Sequence, residues 1–199
     1  ALIVGDIEEG DADLVVDHWS PAGVFTGTLD GRGHCVTIQQ CHADSNGYGG
    51  LFSSTDGAVI RNLIVGGNFL NVTTLGGSLA GLAVNTVIDC CESEAFVRST
   101  SENALLGGLV GAMEGGTMTN SSSNATLEGF KMGGLAGSVS NGSIKNCYSS
   151  TCFIYARDPD KYEVGFLVHT NQGELENNYA KTSDHGWYIP SIGQLVTLH

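Results

Sequence analysis

LGGLVGAMEGGTMTNSSS, residues 106–123, and MGGLAGSVSNGSIKNCYS, residues 132–149, are two copies of one sequence unit that align without a gap. Each copy opens with an apolar residue and a glycine pair. The glycine anchor recurs every 26 to 32 residues, at Gly49, Gly76, Gly107, Gly133 and Gly165. A polar anchor follows it by 12 or 13 residues, at Asn62, Asp89, Asn120, Asn146 and Asn177. Two anchors that recur together at this period indicate a repeat architecture.

Three apolar positions recur in every unit. The first precedes the glycine pair and is held by Tyr48, Leu75, Leu106, Met132 and Val164. The second lies four residues after the first and is held by Phe52, Leu79, Val110, Ala136 and Val168. The third lies two residues before the polar anchor, at Ile60, Val87, Met118, Ile144 and Leu175. A spacing of four with a small residue between them places the first two positions on one face of a strand.

The repeat predicts an all-β fold in which each unit forms one coil of a β-solenoid. Turn-forming residues separate the short apolar runs, at 55–57, 114–116, 140–142 and 171–173, and no unit contains a helical stretch of ten residues. Stacked coils would lie in parallel about 4.8 Å apart and bury each apolar position in a continuous interior column. We expect about five to seven coils. The alternative is a β-sandwich whose turns recur by coincidence.

The polar anchors predict a structural ladder along the stack. If Asn62, Asp89, Asn120, Asn146 and Asn177 lie above one another, each side-chain amide is expected to bond to the next. Asp89 would interrupt the ladder and accept from both neighbours. Glycine, with 29 residues, is explained by corners that need a positive φ and by coils that pack too closely for a side chain.

The composition is apolar and acidic. Of the 199 residues 41% are hydrophobic and only 15% are charged, so the chain is predicted to fold. Eight Lys and Arg stand against 21 Asp and Glu, a net charge of −13, and the basic residues are dispersed. This balance disfavours nucleic acid as a partner and would repel polyanionic sugars. No run approaches the ~20 apolar residues of a membrane span.

The units, together with the segment FTGTLDGRGH at 25–34, resemble the GLUG-motif family of bacterial surface proteins. The resemblance runs from about Trp19 to Ala180. It departs from the family pattern at Phe166, which replaces a glycine, and after Asn120, where the tyrosine seen as Tyr148 and Tyr179 is missing. It implies a right-handed parallel β-helix exported to the surface of a Gram-negative, Bacteroides-type bacterium. Some members carry an IgA-peptidase label.

The same resemblance predicts three segments and a longer parent chain. Residues 1–18 are expected to form an N-terminal cap or acidic lead-in, 19–181 the solenoid, and 182–199 the start of a following module. Neighbouring domains of a longer chain are therefore expected partners.

His34-Cys35 and Cys41-His42 form a symmetrical set of two thiols and two imidazoles, which is the chemistry of a structural zinc site. Adjacent strand residues point to opposite faces, which argues against convergence of all four. Three interpretations stay open: a metal site, a Cys35–Cys41 disulfide, or separately packed side chains. Cys90 and Cys147 are expected in one column two coils apart, beyond disulfide reach, and therefore as thiols.

No catalytic residue and no cofactor is predicted. The chain has no His-Glu-x-x-His sequence, and Ser78 sits in a repeat position rather than at a nucleophile elbow. The acidic set Asp6, Glu8, Glu9, Asp11, Asp13 and Asp17 offers oxygen ligands for calcium but lacks EF-hand spacing. A polysaccharide-active β-helix would need clustered carboxylates, for which the candidates are Asp89, Glu92 and Glu94 near Arg98.

These observations predict a non-catalytic repeat module, extracellular or on the bacterial outer-membrane surface, that serves as an adhesive scaffold or spacer. Repeated polar residues at 120–124 and 149–151 would hydrogen-bond a host glycan or protein. The alternatives are a polysaccharide-active β-helix enzyme and an accessory region of an IgA-type peptidase.

Overall fold

The structure, a computed structural model, describes residues 13–21, 23–155 and 161–181. Across these residues the chain is all-β, and its strands stack as a parallel β-solenoid of about five turns, so the predicted fold class is confirmed. The tail predicted for 182–199 lies outside the described residues, as do the first twelve residues of the predicted lead-in.

Three parallel sheets form the sides of the described solenoid. Sheet 1 comprises β1 (Leu14–Trp19), β4 (Cys35–His42), β8 (Ile64–Val72), β12 (Glu92–Ser99), β16 (Ser122–Ser123), β17 (Thr126–Gly129), β20 (Tyr148–Ser149), β21 (Cys152–Tyr155) and β24 (Tyr179–Ala180). Sheet 3 comprises β5 (Tyr48–Gly49), β9 (Leu75–Gly76), β13 (Leu105–Gly107), β18 (Lys131–Gly133) and β22 (Glu163–Gly165).

Sheet 2 has two short strands in each of its first four coils and one longer strand in each of the last two. It comprises β2 (Val24–Phe25), β3 (Thr28–Asp30), β6 (Phe52–Asp56), β7 (Val59–Arg61), β10 (Ala80–Val84), β11 (Val87–Asp89), β14 (Val110–Glu114), β15 (Thr117–Thr119), β19 (Ala136–Lys145) and β23 (Val168–Glu176). The chain passes through sheets 3, 2 and 1 in turn, so equivalent residues of successive coils stack in columns.

The core consists of such columns. One interior column on sheet 2 contains Ile60, Ile88, Met118, Ile144 and the half-buried Leu175. A second, where sheet 3 meets sheet 2, contains Leu51, Leu79, Leu109 and Leu135, each at most 2% exposed. A single coil would leave these side chains in water, so burial of each column depends on its neighbours above and below.

The second coil is displaced by one residue from the predicted alignment. Gly76 pairs with Leu106 rather than Gly107, and Ala80, not Leu79, pairs with Val110. Ile88 therefore occupies the buried position predicted for Val87, which is 38% exposed. The reason is an extra residue between Gly76 and Ala80 relative to the first coil, because a shift of one residue moves each strand side chain to the opposite face.

The two predicted roles of glycine fall on different residues. The glycine pairs of the repeat are packing residues: a Cβ on Gly133 would overlap the carbonyl oxygen of Ala136, and one on Gly134 that of Phe166. Positive φ values are shared among the described residues by seven other glycines and seven asparagines.

Candidate functional site

Polar side chains line the corner at which each coil passes from sheet 2 to sheet 1. One residue per coil turns the chain there with a φ between 50° and 55°, in the column Asn62, Cys90, Asn120, Asn146 and Asn177. L-residues rarely adopt this conformation, and asparagine tolerates it best after glycine. The repeated asparagine is thus explained by backbone geometry. We call this column the corner column.

Asp89 does not belong to the corner column, so its predicted place in the ladder is wrong by one residue. It pairs with Arg61 on one side and Thr119 on the other, and Cys90 aligns with Asn62 and Asn120. The cause is again the displaced register of the second coil.

The corner amides also make different bonds from those predicted. The Asn62 amide donates to the Asp30 carboxylate at 3.0 Å, and the Asn120 amide donates to the Asp89 carboxylate at 2.9 Å. Each bond joins one coil to the coil before it. Asn62 and Asn120 therefore bind carboxylates rather than a neighbouring amide.

The column just before the corner carries alternating charge. Its members in coil order are Asp30, Arg61, Asp89, Thr119, Lys145 and Glu176. Arg61 Nε lies 2.9 Å from Asp30 Oδ2, and Lys145 Nζ lies 3.0 Å from Glu176 Oε2. We call this column the charge ladder. The opposite charges of Asp30 with Arg61 and of Lys145 with Glu176 join adjacent coils.

Hydrogen bonds favour the ionised form of two carboxylates of the charge ladder, Asp30 and Asp89. Bonds from the Asn62 amide and the Arg32 backbone N–H lower the pKa of Asp30. Bonds from Thr119 Oγ1, at 2.6 Å, and from Asn120 lower the pKa of Asp89. The Glu176 carboxylate raises the pKa of Lys145 by a hydrogen bond and by charge. All three groups are therefore charged at neutral pH.

A shallow groove of about 540 Å³ follows the corner through the first coils and is lined by Arg32, Asn62, Cys90, Glu92, Asn120 and Ser122 among others. It offers both donors and acceptors of hydrogen bonds. Desolvation and the neighbouring Asp89 carboxylate raise the pKa of the Cys90 thiol, so the sulfur is protonated and a poor nucleophile.

The two histidine–cysteine pairs are packed separately. Cys35 and Cys41 are free thiols, so the disulfide interpretation is wrong; Cys41 is buried and its Sγ lies 3.6 Å from the Gly50 carbonyl oxygen. His42 Nδ1 lies 2.9 Å from the Asn71 amide, and His34 Nδ1 lies 3.9 Å from Asp13. Among the described residues no three His, Cys, Asp or Glu side chains are grouped to hold a metal ion.

Cys91, rather than the predicted Cys90, shares an interior column with Cys147. Ser121 lies between them: its Oγ accepts the Cys91 N–H at 3.1 Å, and its own N–H donates to Cys147 Sγ at 3.5 Å. Burial raises the pKa of Cys91 to about 12 and that of Cys147 to about 11. Both thiols are protonated and pack as small apolar groups.

The predicted enzymatic candidates are occupied by structural contacts. Ser78 is fully buried, in the position that Gly108 holds in the next coil. Glu92 accepts the Asn124 amide at 2.7 Å, and Arg98 Nε lies 3.2 Å from Glu128. Of the acidic set, Asp6, Glu8, Glu9 and Asp11 lie outside the described residues, whereas Asp13 and Asp17 are exposed.

Sequence reasoning missed one feature of sheet 1. Tyr148 and Tyr179 pair in register on neighbouring coils and are 38% and 53% exposed. The signal was present, because each tyrosine stands two residues after a corner asparagine and so faces outward at the same position of its coil. The repeat explains their alignment but not their exposure.

A family model described as the GLUG motif matches residues 130–151, which contain β18, β19 and β20. The match supports the resemblance carried by the repeat units. No curated protein and no solved structure matches the chain. Among the described residues there is no helix long and apolar enough to cross a membrane.

Proposed function

We propose that the chain is a non-catalytic repeat module of a secreted or cell-surface bacterial protein and acts there as an adhesive scaffold. The observation that carries the proposal is that equivalent residues of successive coils stack in columns. The first residues of β4, β8, β12, β16 and β20 align at one position per coil, so the module presents a row of side chains along sheet 1. Such an array suits an extended ligand better than a small enclosed one.

The electrostatics of Asp89 do not suit it to be the general acid of a polysaccharide-active enzyme. A glycosidase needs one carboxyl group whose pKa is raised so that it can donate a proton. The bonds from Thr119 and Asn120 lower the pKa of Asp89 instead. The Asp89 carboxylate therefore serves to join coils.

A retention assay tests the adhesive role. Beads coated with the folded protein are passed over immobilised host glycans and extracellular-matrix proteins, with beads carrying the heat-unfolded chain as control. We expect at least tenfold greater retention of the folded protein on one ligand class. If folded and unfolded protein were retained equally on every surface, the adhesive role would be contradicted and the role of a spacer would remain. Antibody labelling of intact cells that express the full-length gene tests the surface location.

A further inference from the structure

Tyr148 and Tyr179 form an aromatic strip on the outer face of sheet 1. They open β20 and β24, which are parallel neighbours, and their Cα atoms are partners in the register. The exposed fractions of 38% and 53% leave much of each phenol ring in contact with solvent. By contrast, the partly buried rings of Phe25 and Phe52 stack on each other, with centroids 4.4 Å apart, and pack against the core.

A column of hydrogen-bonding side chains runs beside this strip. Asn124, Ser150 and Lys181 lie on three successive coils, as their backbone N–H groups bond to Ser93, Ser123 and Ser149. Ser150 and Lys181 each follow a tyrosine by two residues, so they share its outward face about 7 Å along the strand. The Ser150 hydroxyl donates to the Asn124 side-chain oxygen, which fixes the orientation of both groups.

We propose that this tyrosine face, composed of Tyr148, Tyr179, Asn124, Ser150 and Lys181, binds an uncharged saccharide chain; the inference rests on the adhesive function proposed above. A sugar ring has apolar C–H faces that pack on phenol rings and hydroxyl groups at its edge that pair with amide, hydroxyl and ammonium groups. The net charge of −13 repels anionic glycans and nucleic acids at a distance. A neutral saccharide can contact the rings and the polar column without this electrostatic repulsion.

Paired variants test the inference on the full chain. The protein is first screened against an array of neutral and acidic oligosaccharides, and the best neutral ligand is titrated by calorimetry. We expect Tyr148→Ala with Tyr179→Ala to weaken binding at least tenfold. Tyr148→Phe with Tyr179→Phe keeps the rings and should stay within about threefold. Val87→Ala, which removes an equally exposed apolar side chain from sheet 2, is the matched control and should change nothing.

The outcomes separate this inference from the adhesive function. Unchanged saccharide binding in the double alanine variant, with its thermal melt intact, overturns the tyrosine face and leaves the adhesive role standing. If the beads are retained only on proteins or acidic glycans, the proposal of an uncharged saccharide ligand is overturned, and the adhesive role still stands. A dimer in sedimentation that dissociates on the alanine substitutions shows that a second copy occupies the face, which overturns the inference. If no oligosaccharide on the array binds and the beads are not retained on any surface, both the saccharide-binding face and the adhesive function are overturned.

Discussion

Cys90 is the exception among the residues that turn the chain at the corner column. Its φ of 53° matches that of the asparagines at the same position, but a cysteine lacks their tolerance of this conformation. We expect Cys90→Asn to stabilise the protein by about 1 kcal/mol, because the strain of a non-glycine residue in the left-handed region is of that order. The difference in the free energy of unfolding between this variant and the wild type is measured by chemical denaturation.

Asn120→Ala is the opposite change at the same corner. It removes both the tolerated conformation and the amide bond to Asp89, so a loss of about 2 kcal/mol is expected. A Cys90→Asn variant less stable than the wild type would contradict the account of the corner column.

Asp89 should make stability depend on acid pH. Its pKa in the folded state lies below that of the unfolded chain, so its contribution is present above about pH 4 and is lost as the pH falls through the folded value. We expect Asp89→Asn to lower the melting temperature at pH 7 and to approach the wild type near pH 2.5. Asp56→Asn, at the exposed end of β6, is the control. A constant difference between Asp89→Asn and wild type across this range would contradict the prediction.

At the scale of the element, the strand sequences explain burial but not register. The alternation that identifies Met118 and Ile144 as interior residues is legible in the sequence, because a buried face has a period of two. The extra residue between Gly76 and Ala80 could not be recognised from the sequence, since either glycine of the pair satisfies the repeat. Only contacts between coils distinguish Ile88 from Val87, or Cys90 from Asp89, as the aligned residue.

The packing role of the repeat glycines can be tested within strands. Gly133, in β18, has a backbone conformation open to other residues, but a Cβ there would overlap the Ala136 carbonyl oxygen. A Cβ on Gly133 would also lie 2.7 Å from the backbone nitrogen of His169 in the next coil. We expect Gly133→Ala to cost more than about 2 kcal/mol, because the backbone must shift both within the coil and against its neighbour. The measurement is the free energy of unfolding in urea.

Gly66→Ala in β8 is the matched control. A Cβ at Gly66 would lie 3.7 Å from Thr37 Oγ1, which is ordinary contact, so little change or a small gain is expected. Equal effects of the two substitutions would show that loss of glycine flexibility, rather than coil packing, determines the result.

At the scale of the whole molecule, the charge ladder and the tyrosine face are properties that no single unit contains. Arg61 is a lone basic residue in its own strand, and only stacking places it between Asp30 and Asp89. The coil could be predicted from the sequence because the glycine pair, the apolar positions and the corner residue that define it all lie within one repeat. These surface features arise from contacts between repeats, so they could not be predicted without knowing which residues of neighbouring coils are aligned.

The stack should accept another coil. From the third coil to the fourth the register advances by 26 residues in all three sheets, as the pairs Gly107–Gly133, Met118–Ile144 and Ser122–Tyr148 show. A tandem duplication of residues 107–132 therefore inserts one coil in which every column continues. Nearest-neighbour stacking predicts a protein that stays folded, melts no lower, and is longer by about 4.8 Å in small-angle scattering. Insertion of residues 107–119 alone would bring sheet 2 strands opposite sheet 1 strands and should destabilise the chain. If both insertions were tolerated equally, column register would not be what holds the solenoid together.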